Sequence, residues 1–157
     1  MSGIILLLAL AQQIGKTNLP AIGSILAATE KSHDPDLARS VILVIHSDRD
    51  GVMGLILNRP REQSIYFGGP IPLGTRALIR SRIKPAGAER ILGDVYLVSK
   101  KSEIPKDSAS RVYAGYVGWS AQQLTDEIAL GLWKMVHGDA ATVFDPHPET
   151  LWRRYLR

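Results

Sequence analysis

The chain has 157 residues, of which 45% are hydrophobic and 22% charged. That balance suits one folded domain with a sizeable core and argues against disorder. It contains no cysteine, which excludes disulfides, thiolate catalysis and cysteine-ligated zinc. The net charge of +4 permits contact with phosphate or anionic lipid without requiring it.

The apolar run GIILLLALA, Gly3 to Ala11, is too short to span a membrane, which takes about 20 residues. Its Ala9-Leu10-Ala11 ending has the form of a signal-peptide cleavage site, although no basic segment precedes it. Residues 1–22 are therefore set apart as an N-terminal extension, and 23–157 as a single domain. Processing of the extension would export the protein.

Strand signals follow. SILAA (Ser24–Ala28) precedes the polar loop TEKSHDPD, and SVILVIHS (Ser40–Ser47) is apolar throughout, as in a strand covered on both faces. DRDG is a turn signal, so VMGLILN (Val52–Asn58) is expected to return as the second strand of a hairpin, stopped by Pro60. IYFGGPIPLG (Ile65–Gly74) concentrates turn-forming residues. RALIRS (Arg76–Ser81), DVYLVS (Asp94–Ser99) and RVYAGYVG (Arg111–Gly118) are predicted as further short strands.

Ser120, with Gln123 three residues on, has the form of a capping box. Leu124, Ile128, Leu132 and Met135 recur at helical spacing up to Gly138, which predicts one long amphipathic helix. Gly115 and Gly118 are expected to let the chain reverse from strand into that helix. ATVF is expected as a last strand, and DPHPETLWRRYLR as a short C-terminal helix with Leu151, Trp152 and Tyr155 on its apolar side. The fold class expected is thus α+β.

Chemistry is thinly marked. Phosphate-loop and dinucleotide fingerprints are absent, and the four histidines have no metal-ligand spacing, so neither metal nor cofactor is expected. DRDG lacks the remaining positions of a calcium loop. His46, Asp48 and Ser40 are the ingredients of a nucleophile triad, but no G-x-S-x-G elbow accompanies them. Asn58 and Arg59 stand at a strand end, where they can either bind an anion or satisfy loop backbone. Arg76, Arg80 and Arg82 share the even spacing of one strand face, a stripe able to meet phosphates or merely to remain solvated.

Four motifs in order then carry a resemblance. GSILAATEKSHDPDLARSVILVIH, GVMGLILNRP with FGGP, GYVGW…QLTDEI…GLW and VFDPHPETLW together resemble the YqgE/AlgH family of small bacterial proteins, over Gly23 to Trp152. The resemblance implies bent, bifurcated mixed β-sheets, a cytoplasmic location and no established catalytic residue set. It also implies the description of transcriptional regulator that AlgH-type members carry. Seven residues, REQSIYF, separate N-R-P from G-G-P where the family has a longer segment with a helix, so a helix is in doubt there.

The function expected is a non-enzymatic binding or regulatory module for a protein partner or a small anionic ligand. Its candidate binding residues are Asn58, Arg59, Gly68, Gly69, Tyr116 and Trp119, and no catalytic residue is assigned. A direct DNA-binding regulator using Arg76, Arg80 and Arg82 is the first alternative. An enzyme using His46, Asp48 or Glu127 as acid or base is the second.

Overall fold

The computed structural model describes residues 19–100 and 103–156. The expectations about residues 1–18, including signal-like processing, lie outside them. No helix among the described residues is long and apolar enough to cross a membrane.

The described residues build nine strands. They are β1 (Ser24–Ala28), β2 (Val41–Asp48), β3 (Gly51–Ile56), β4 (Ile65–Phe67), β5 (Ile71–Arg80), β6 (Glu89–Leu92), β7 (Val95–Val98), β8 (Ser110–Trp119) and β9 (Trp133–His137). Three helices accompany them: α1 (Ala121–Ala129), α2 (Ala140–Val143) and α3 (Leu151–Tyr155). The sheet runs β6-β7-β5-β8-β3-β2-β1-β9, with β4 added to β8. All pairings are antiparallel except β4 with β8.

β8 is the member shared by the two halves. One of its edges carries β5. The other carries β4 opposite Val112–Ala114 and then β3 opposite Val117–Trp119, so the sheet divides along that edge. The sheet is mixed and mostly antiparallel, divides along β8 and is accompanied by a few short helices, an α+β arrangement.

Strand alternation sends neighbouring residues to opposite faces. Ile25, Leu43, Leu55, Leu78 and Tyr113 join one core with Val143 of α2 and Leu151 of α3. Leu26, Ile42, Val44, Ile56 and Val117 join a second core with Trp119, Trp133 and Leu124 of α1. The central strands thus lie between helical covers, which explains the unbroken apolar run of β2. The β2–β3 hairpin forms as the turn signal predicts, with Asp48 paired to Gly51.

The long helix is not present. α1 ends at Ala129, Gly131 adopts a left-handed φ of +76°, and its N–H donates to the Ile128 carbonyl. That conformation suits glycine and ends a helix. Trp133–His137 then becomes β9 and pairs residue by residue with β1, from Ala28↔Trp133 to Ser24↔His137. Leu132 and Met135 fit helical spacing by coincidence, and Met135 is exposed. The start of the helix is as expected, with Ser120 Oγ accepting from Gln123 N at 3.1 Å.

Two further expectations are corrected. ATVF is not a strand: Asp139 Oδ1 accepts from Thr142 N at 2.7 Å and caps the short helix α2. The chain also does not reverse at Gly115, because β8 continues to Trp119. Gly115 instead sits in an irregularity of the β5–β8 ladder, between the pairs Thr75↔Ala114 and Ile71↔Tyr116. The short segment after Pro60 holds one 3-10 turn, Glu62–Ser64, and β4, with no α-helix. The C-terminal helix α3 forms as expected, and Leu151 is its buried anchor.

Candidate functional site

The Asn58–Arg59 pair leaves the end of β3 and turns toward the loop before β2. Asn58 Oδ1 accepts from Val41 N at 2.9 Å, and Asn58 Nδ2 donates to the Arg39 carbonyl at 2.8 Å. Arg59 donates through Nη1 to the Asp36 carbonyl and through Nη2 to the Ala38 carbonyl. Its partial burial lowers its pKa below the ordinary arginine value, an effect that nearby Asp36 opposes. The pair thereby fixes the backbone from Asp36 to Val41, including Arg39 at φ +59°.

Gly68 and Gly69 lie against β8. A Cβ on Gly68 would meet the Gly115 carbonyl, and one on Gly69 would meet the Tyr116 backbone. This contact floors a cavity of about 310 Å³ bounded by Arg61, Phe67, Gly69, Pro72, Thr75 and Gly115. Among the described residues, Arg61 is the one charged residue lining it. The Arg61 guanidinium carbon stands 4.3 Å from the Phe67 ring centroid, and that of Arg59 stands 5.9 Å from the same ring.

Tyr116 and Trp119 line a different concavity, an open cleft of about 380 Å³ shared with His46, Asp48, Met53, Ile71 and Ser120. Trp119 is buried, and its ring meets that of Trp133 edge-on at 5.6 Å. Arg76 covers the Tyr116 ring at 4.9 Å. His46 Nε2 lies 2.8 Å from Asp48 Oδ2, with both side chains about half exposed (50% and 46%). The Asp50 N–H bonded to Asp48 is the largest cause that lowers the Asp48 pKa, followed by the hydrogen bond from His46.

The six candidate binding residues are therefore distributed over three places. Asn58 and Arg59 hold a loop, Gly68 and Gly69 pack under the Arg61 cavity, and Tyr116 and Trp119 belong to the His46 cleft.

The acid–base candidates do not converge either. Glu127 accepts a hydrogen bond from Trp133 Nε1 at 3.0 Å and does not line the His46 cleft. Ser40 is fully buried, donates Oγ–H to the Leu37 carbonyl, and precedes β2 at the end opposite His46. The triad reading is thereby removed. No cluster of three or more potential metal ligands exists among the described residues.

The arginine stripe is interrupted. Arg76 donates to the Leu73 carbonyl and Arg80 pairs with Asp94 at 3.3 Å, while β5 ends at Arg80 and leaves Arg82 beyond it. Leu78, the strand residue between them on that face, is buried.

Sequence reasoning passed over Arg61, which looked like part of a spacer, and Arg39. Nothing in an arginine codon position signals a left-handed backbone, since asparagine and glycine are the residues that favour it.

A divided, mostly antiparallel sheet with helical covers on both faces and cavities at its strand ends defines the structural class. A family model described as AlgH-like matches residues 25–157, and the chain belongs to that family. A UPF0301 protein of Streptomyces coelicolor is 31% identical over 172 residues, covering 91% of this chain and 89% of that protein. A UPF0301 protein of Thermobifida fusca is 33% identical over 177 residues, covering 88% and 87%. Both alignments are longer than this chain of 157 residues, so these relatives carry residues without a counterpart here.

Two solved structures share the fold. An X-ray structure of a Corynebacterium diphtheriae protein matches with a TM-score of 0.76 at 22% identity, covering 89% of this chain and 87% of that one. The solution structure of the AlgH protein from Pseudomonas aeruginosa matches with a TM-score of 0.71 at 24% identity, covering 89% and 90%.

Proposed function

We propose that this protein is a non-enzymatic binding module that takes a small anionic ligand in the Arg61–Phe67–Gly69 cavity. One observation carries the reading: the Arg61 guanidinium stands at the cavity over Phe67 with no carboxylate partner or hydrogen bond among the described residues. A guanidinium held against an aromatic face keeps its in-plane N–H groups available for two parallel bonds to a carboxylate or phosphate. Arg59, on the same ring, adds a second positive charge nearby. Phe67, Pro72 and Ala114 supply apolar wall for the rest of a ligand. Gly68 and Gly69 contribute by letting β8 approach closely enough to form the floor.

The alternatives have less support. Two of the three arginines offered for nucleic acid are engaged by protein groups. The His46–Asp48 pair stands in an open cleft where water competes for any proton transfer. A regulatory role under this proposal runs through ligand occupancy, and direct DNA contact is not needed.

The test is calorimetric or NMR titration of the full chain with inorganic phosphate and with small mono- and dicarboxylates. Binding that weakens at least tenfold in Arg61→Gln, with the fold retained, supports the proposal. Equal binding by wild type and Arg61→Gln, or no binding by wild type, removes it.

A further inference from the structure

We infer that a second cavity, built around Arg39 and Trp152, is a binding site for a small zwitterion of the α-amino-acid class, with Asn58 and Arg59 as its positioning residues. The cavity encloses about 310 Å³ and is lined by Thr29, Glu30, Ser32, Ala38, Arg39 and Trp152. It shares no lining residue with the Arg61 cavity, so the inference stands apart from the function proposed above. Its volume is at the lower end of small-molecule sites, about 300–1,000 Å³, which suits a ligand of few atoms.

The lining carries charges of both signs. It offers one cation, Arg39, and one anion, Glu30, and neither side chain has an ion-pair partner or hydrogen bond among the described residues. A guanidinium binds a carboxylate through two parallel bonds, whereas a carboxylate and hydroxyl oxygens accept from an ammonium. Thr29 Oγ1 donates to the Gly131 carbonyl at 2.6 Å, which turns its lone pairs to accepting. Ser32 adds a second hydroxyl. Two unpaired charges of opposite sign, with two hydroxyl residues in the same lining, match a molecule that carries both charges.

The aromatic wall is fixed in place. Trp152 Nε1 donates to the Ala28 carbonyl at 2.6 Å, and the Arg39 guanidinium carbon lies 5.6 Å from the indole ring. The wall can cover the apolar part of a ligand whose carboxylate Arg39 holds.

The N-R-P segment explains how Arg39 is held there. Asn58 Nδ2 bonds the Arg39 carbonyl, Asn58 Oδ1 receives Val41 N, and Arg59 bonds the carbonyls of Ala38 and Asp36. These bonds bracket Arg39 on both sides and hold it at φ +59°. Asn58 and Arg59 do not line the cavity, so they act on a ligand only through Arg39.

The experiment is titration of the full chain with L-leucine, L-glutamate and L-lysine, read by Trp152 indole N–H shifts and by calorimetry. Acetate and methylammonium serve as single-charge controls. At least one amino acid is expected to bind, at least tenfold tighter than either control. Arg39→Gly, which the left-handed backbone accepts, and Glu30→Gln are each expected to weaken it at least tenfold. Arg61→Gln leaves it unchanged. Asn58→Ala weakens binding in the wild-type background and adds nothing in Arg39→Gly, an outcome a merely structural role would not produce. The inference is overturned if no amino acid shifts the Trp152 signal, if acetate alone binds as tightly, or if Arg39→Gly binds like wild type.

Discussion

Gly115 is the point where β8 passes from one half of the sheet to the other, and substituting it tests that role. Its φ is +75°, and a Cβ there would lie 2.6 Å from the Gly69 carbonyl oxygen and 2.8 Å from that of Ile71. A left-handed conformation costs an alanine about 1–2 kcal/mol. Overpacking adds about 1–3 kcal/mol, and both obstructing atoms are backbone, which cannot rotate aside. Gly115→Ala should therefore lose about 2–5 kcal/mol, a large fraction of the roughly 5–15 kcal/mol that holds a domain folded.

Gly93 provides the control. It is also left-handed, at φ +50°, but nothing lies within 4 Å of its added Cβ. Gly93→Ala then carries the conformational term alone, about 1–2 kcal/mol. With a urea m-value of about 2 kcal/mol/M, the midpoint should fall by roughly 1–2.5 M for Gly115→Ala and by roughly 0.5–1 M for Gly93→Ala. Equal losses for the two variants would show that close approach to β4–β5 backbone is not what requires glycine in β8.

Three more outcomes follow from particular contacts. The Tyr113 hydroxyl is buried without a hydrogen-bond partner among the described residues, and burial pushes its pKa up. Tyr113→Phe should consequently be neutral or stabilising by about 1 kcal/mol in urea denaturation, and a loss greater than that refutes the unpartnered hydroxyl. Ser120→Ala should cost about 0.5–2 kcal/mol by removing the cap on Gln123 N, measured in the same way; no change would mean that solvent replaces the cap. Asp48 has a lowered folded pKa, so its stabilisation is present above the unfolded carboxylate value of about 3.9 and disappears as pH falls through the lower folded value. Melting temperatures between about pH 6 and 2 should decline less steeply for Asp48→Asn than for wild type, and parallel curves would remove the Asp48 linkage.

What the sequence revealed and what it withheld divide by the range of the deciding interaction. β1, the β2–β3 hairpin and the Ser120 cap depend on residues within a few positions, and each is legible as composition or spacing. The end of α1 is not. Leu132 and Met135 satisfy a helical period, and only the unpaired edge of β1, more than 100 residues earlier, makes β9 the better use of that segment. Strand β4 is three residues long, too short for alternation to register, and β6, Glu89–Leu92, sets two charged residues before two apolar ones and so shows no alternation. The family resemblance supplied the divided sheet, which no local pattern contains. The shortening after Pro60 was legible, although its outcome as a 3-10 turn and a strand parallel to β8 depends on where β8 lies.

The candidate site was harder to read because residue type identifies a donor without revealing whether the fold has already used it. Asn58 and Arg59 look like ligand groups at a strand end, yet both ends of the Asn58 amide and two nitrogens of Arg59 are bonded to backbone. A group whose donors are satisfied within the protein must break those bonds to hold a ligand, at a net cost of about 0.5–1.5 kcal/mol for each ordinary hydrogen bond. Arg61 and Arg39 face no such cost, since no side-chain hydrogen bond engages either among the described residues and each stands on an aromatic ring at a cavity. Recognition is thereby displaced by a few residues from the motif that announces it: the N-R-P segment shapes the Arg39 loop on one side and leads directly into Arg61 on the other. This arrangement gives Asn58→Ala and Arg61→Gln separable effects, the first on the Trp152 cavity and the second on the Phe67 cavity, and a ligand that responded to both would require the two cavities to communicate through the intervening strand end.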